Sequence, residues 1–131
     1  MTIDDIILKT TKARLSQADV EACCQQEQIS PEAFCDEFAR RVAAGYSSQS
    51  FSFADAASAM NGLWFGFQFQ GPKFAESVFR CFDAGECHPK TPHLSSDEVS
   101  RPLVERLLGI GVLIMLLTTA TDTGVCKERK S

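Results

Sequence analysis

Residues 82–93, FDAGECHPKTPH, place two carboxylates (Asp83, Glu86), a thiol (Cys87) and two imidazoles (His88, His93) within twelve positions, stiffened by Gly85, Pro89 and Pro92. Three chemistries draw on such groups. Cys87, His88 and His93, with Asp83 or Glu86, supply the donor types of a zinc site. Adjacent Cys and His match no familiar ligand spacing, however, and neighbouring ligands converge poorly on one tetrahedron. Cys87 and His88 are also the residue types of a nucleophile and its base. Yet a nucleophilic thiolate wants surroundings opposite to those beyond a helix C-terminus and beside two acids. Paired carboxylates can do acid–base work only across a cleft. Asp83 and Glu86, three residues apart, share a face of any helix that carries them, which suits a recognition patch at least as well. The plainest reading of the loop is polar surface.

No Walker loop, nucleophile elbow, H-E-x-x-H or G-x-G-x-x-G pattern occurs elsewhere in the chain. The expectation is a protein that is not an enzyme and carries no cofactor. A small metal- or thiol-dependent enzyme centred on 83–93 stands as the alternative.

Charge narrows the partners. The 131 residues carry a net charge of −4, which disfavours nucleic acid as a direct ligand. Residues 16–70 hold seven acids against two bases, whereas 71–131 balance eight against eight. An acidic half of this kind suits a basic protein partner, although a solvated helix face explains it too. The N-terminus opens with acids around a short apolar stretch, unlike a secretory leader. Of the six cysteines, Cys23, Cys24, Cys35 and Cys81 look like small buried hydrophobes, and the expected compartment is a reducing cytoplasm.

The elements that must position these groups read as helices. Ser16 and Asp19 open one, with Val20, Cys23 and Cys24 on its apolar stripe. Ser30 and Pro31 begin the clearest helix, where Phe34, Phe38 and Val42 recur every four residues and Gly45 offers a stop. Ser52 and Asp55 start a helix through Met60, Leu63 and Trp64. Its end is ambiguous, because Phe65, Phe67 and Phe69 alternate as in a strand. Pro72 opens a helix bearing Phe74, Val78, Cys81 and Phe82, with Gly85 as its stop. Ser95 and Glu98 form a capping-box pattern before the next helix, which Pro102 must enter early or kink. Residues 107–120 are the most apolar stretch, read first as a central buried helix and second as a buried strand. They are too short to span a bilayer. The expected fold is all-α: a single-domain bundle of five to six helices, with a short extended segment near 65–70 as a variant. Residues 1–15 and 121–131 are expected at the periphery or frayed.

The stretch FCDEFARRVAAGYSSQSFSFADAASAMNGLW, then FAESVFRCFDAGEC and RPLVERLL, resembles a group of small helical bacterial immunity proteins paired with polymorphic or contact-dependent toxins. The resemblance covers roughly residues 31–108. It departs at Cys87, where the pattern expects an aromatic residue, and in the apolar stretch after residue 108. It implies a cytoplasmic chain that neutralises a cognate toxin domain, such as a nuclease with a basic active-site surface, by one-to-one complex formation. The free protein would be a monomer, or a heterodimer once bound to its toxin. The residues proposed to contact the toxin are Asp36, Glu37, Asp55, Asp83, Glu86 and His88, with Tyr46 as an aromatic anchor on an exposed turn. A secretion chaperone or adaptor with an apolar groove is a third reading.

Overall fold

The computed structural model describes residues 1–68, 70–87 and 93–110. Within them the chain forms six α-helices and no strand: α1 (Ile3–Thr10), α2 (Gln17–Glu27), α3 (Pro31–Ser47), α4 (Phe53–Gly66), α5 (Lys73–Glu86) and α6 (Ser96–Glu105). A π-helical turn, Arg106–Ile110, continues α6. The all-α expectation therefore holds across the described residues. The extended variant near 65–70 does not: α4 runs to Gly66 and closes in a turn at Phe67 and Gln68, while Phe69 lies outside the described residues.

Local chemistry explains where the helices begin. Thr2 with Asp5, and Ser95 with Glu98, form reciprocal capping boxes. The hydroxyls of Ser16, Ser30 and Ser52 each accept from the backbone N–H three residues on, filling one orphan donor per helix. The start of α5 has no such side chain of its own. Asp36, on α3, supplies the acceptor instead and takes the Ala75 N–H at 3.3 Å.

α3 packs against each of the other five helices and forms the axis of the fold. Its apolar repeat, Phe34, Phe38 and Val42, is fully buried, as are Met60 and Leu63 of α4 and Val78 and Phe82 of α5. The expectation of a central helix at 107–120 falls almost wholly outside the described residues. α3 is the central element among those that are described.

Three expectations need correction. Residues 1–15 are not merely peripheral: α1 buries Ile3, Ile6 and Ile7 in the core, at the i, i+3, i+4 spacing of one helix face. Gly45 does not stop α3, which continues to Ser47. Its missing side chain leaves room for the Phe51 ring, which a Cβ would approach to 2.6 Å. Gly85 likewise lies inside α5, at the point where α6 crosses.

Candidate functional site

α4 and α5 pack together: Phe53 meets Phe82 at 5.9 Å between ring centroids, Trp64 stacks on Phe79 at 5.5 Å, and the end of α5 reaches Asn61 of α4. Asp55 stands in the first turn of α4, and Asp83 and Glu86 stand in the last turn of α5. All three are exposed. Glu86 accepts from Asn61 Nδ2 at 3.3 Å, and among the described residues neither Asp83 nor Glu86 faces a cation. Carboxylates at this position oppose the helix macrodipole, an arrangement that costs about 0.3–1 kcal/mol each at an exposed terminus. The pair thus costs the helix stability, and the bond from Asn61 to Glu86 is its one side-chain return among the described residues.

The other acids named from the sequence serve the fold. Asp36 caps α5. Glu37 is clasped by Arg40 and Arg41, whose hydrogen bonds hold its carboxyl below the usual range. Tyr46 is no exposed anchor. It is completely buried, because it falls on the inner face of α3 once that helix passes Gly45. Its ring packs edge-on against Phe82 at 5.0 Å and lies under the Arg101 guanidinium at 4.2 Å, while its hydroxyl donates to Asp97. Arg101 completes the cluster by donating to Asp97 and, at 3.1 Å, to the Tyr46 carbonyl. This three-residue latch between α3 and α6 was not anticipated. Its one sequence signal is the i, i+4 spacing of Asp97 and Arg101, which is common on helix surfaces.

Trp64, five per cent exposed, is core. His88 lies outside the described residues, and His93 and Cys87 flank that gap, both exposed. Among the described residues no group of three or more His, Cys, Asp or Glu side chains could hold a metal ion.

The thiols differ sharply in environment. Cys87 is exposed, Cys24 and Cys81 are half-buried, and Cys23 and Cys35 are buried. Burial pushes Cys81 up to about 11 and Cys35 up to about 12 from an ordinary 9.0. Among the thiols of the described residues, iodoacetamide at pH 8 is therefore expected to modify Cys87 first, with Cys35 and Cys81 at least about a hundredfold slower in the native protein. Peptide mass spectrometry over a time course measures the order. Equal rates at Cys87 and Cys35 would contradict the packing described above.

No described helix is long and apolar enough to cross a membrane. Comparison with known proteins returns no matching family model, no matching curated protein and no matching solved structure.

Proposed function

We propose that this chain is a binding protein, not an enzyme, and that it neutralises a cognate bacterial toxin domain by forming a one-to-one complex. The observation that carries the reading is the pair Asp83 and Glu86. They stand exposed at the unfavourable end of α5, with no cation facing them among the described residues, and Asp55 is a further exposed acid, in the first turn of α4. A basic protein surface would relieve that local cost, and opposite charge would speed the encounter. The motif resemblance read in residues 31–108 motivates the choice of a toxin as the partner. So does the way the fold spends its other polar clusters on itself, at Asp36, Glu37 and the Tyr46–Asp97–Arg101 latch. The interface then narrows to Asp55, Asp83 and Glu86. Cytoplasmic residence belongs to the same proposal.

The test is the double substitution Asp83→Lys with Glu86→Lys. The wild-type chain is tagged in its native host, its stoichiometric companion is identified, and the two affinities are compared by calorimetry. Loss of about a hundredfold or more is expected, since each desolvated charge pair at an interface contributes well over 1 kcal/mol. An unchanged affinity removes this end of α5 from the interface.

A further inference from the structure

α4 carries two glycines, Gly62 and Gly66, one turn apart, each less favourable in a helix than alanine by about 1 kcal/mol. Both lie where the α1–α2 connection rests on α4. A Cβ on Gly62 would collide with the Thr10 side chain, and one on Gly66 would come within 2.6 Å of Leu15 Cδ2. The close approach is tied down by Gln17, whose Nε2 donates to the Gly66 carbonyl at 2.8 Å. Beside this seam opens a groove of about 860 Å³. Lys12 and Arg14 line one wall, Ser58, Asn61 and Phe65 the other, and Leu15 belongs to its floor.

Two features of the groove bear on its occupant. Lys9, Arg40, Arg41, Arg80 and Arg101 each sit against a carboxylate, whereas Lys12, Arg14, Lys73 and Arg106 face none among the described residues, and of these four Lys12 and Arg14 share the groove. Phe65, the largest of the three exposed large hydrophobic residues among those described, lies in the same groove and is 57% exposed. On a chain of net charge −4, two free cations beside an exposed ring make a local site of the opposite sign.

We propose that this groove is a docking site for an acidic segment of a partner protein, in which carboxylates meet Lys12 and Arg14 and an apolar side chain lies on Phe65. Charge complementarity selects the occupant. A purely apolar segment would leave both cations unmatched, and a basic one would be repelled by them. The apolar anchor supplies area that surface ion pairs alone do not, since each is worth little in water. The site stands independently of the acidic end of α5, although Asn61 touches both by lining the groove and holding Glu86.

The test titrates the isotopically labelled full chain with a capped acidic peptide, acetyl-Glu-Asp-Leu-Phe-Asp-Glu-amide, and follows backbone amide shifts by NMR. Saturable shifts confined to residues 12–15 and 58–66, at millimolar affinity or better, are expected. They should vanish with the Gln/Asn counterpart of the peptide. The affinity should fall about tenfold or more in Lys12→Glu with Arg14→Glu, and also in Phe65→Ser, all exposed positions that leave the core intact. Absence of shifts at about 5 mM peptide, shifts centred elsewhere, or insensitivity to both variants would overturn the proposal. Equal or tighter binding of inorganic phosphate or a short oligothymidylate in the groove would also overturn it, assigning the cations to phosphate. Shifts that depend on protein concentration alone would do so as well, giving the groove to a second copy of the chain.

Discussion

Tyr46→Ala is expected to remove about 3–5 kcal/mol of folding free energy, a large share of the 5–15 kcal/mol that holds a typical domain together. Truncation empties a site that is fully enclosed between Phe53, Phe82 and Arg101. It also deprives Asp97 of one donor. Tyr46→Phe keeps the ring and deletes only that hydroxyl, for about 1–2 kcal/mol. Urea unfolding of the three proteins measures both steps. An Ala variant with a wild-type midpoint would return Tyr46 to the surface.

The pH dependence of the same comparison has a definite sign. Hydrogen bonds from Arg101, then from Tyr46, hold the Asp97 carboxyl below its ordinary 3.8. Its contribution is thus complete above that value and is lost as pH falls through the lower folded value. Burial, then the bond to Asp97, raises the Tyr46 phenol above its ordinary 10.0. That contribution is complete below 10.0 and drains away as pH rises toward the folded value. The thiols of Cys35 and Cys81 begin an alkaline loss of their own above their ordinary 9.0, in wild type and variant alike. The difference between wild type and Tyr46→Phe isolates the phenol: it should be constant from pH 6 to 9 and shrink above about 10.

Much of the fold was legible because its signals are local. A serine hydroxyl three residues ahead of an N–H, a proline at a first turn and an apolar residue every fourth position act within a single helix, and they located α2, α3, α4 and α6 correctly at their starts. What escaped is non-local. Tyr46 follows a glycine and precedes a serine-rich turn, so its neighbours in sequence suggest surface. Its burial depends on Arg101, more than fifty residues away. Asp36 looks like one more acid on a solvated face until α5 arrives and places the Ala75 N–H against it. The candidate site divides on the same line. The pairing of Asp83 with Glu86 on one helix face follows from their spacing. The rejection of Asp36 and Tyr46 follows only from tertiary partners, whereas Glu37 is held by Arg40 and Arg41, three and four residues along its own helix. The glycines divide for a related reason. A helix C-terminus favours glycine, so Gly45 and Gly85 read as stops in sequence, but here the missing side chain admits a ring or a second helix.

Gly85→Ala decides between those two roles, because they predict opposite signs. If Gly85 were only a weak point in α5, alanine would stabilise the helix by about 0.5–1 kcal/mol through the backbone entropy it saves. The structure predicts net destabilisation of about 1–3 kcal/mol, and more for Gly85→Val, because the added atom is overpacked. A Cβ there would collide with Ser100 Oγ and stand 2.7 Å from the Ser96 carbonyl oxygen and 2.9 Å from Phe53 Cε1. The hydroxyl can be removed: Ser100→Ala deletes the colliding oxygen, together with its 2.7 Å hydrogen bond to the Cys81 carbonyl. The Ser96 carbonyl is backbone and cannot yield without moving α6. The double variant Gly85→Ala with Ser100→Ala should therefore recover only part of the loss, and a double-mutant cycle from thermal unfolding would measure the coupling. Since Asp83 and Glu86 flank Gly85 on the same turn of α5, displacement of α6 is also expected to shift the exposed carboxylates. A Gly85→Ala protein that melts higher than wild type would mean that α6 does not cross α5 at this glycine.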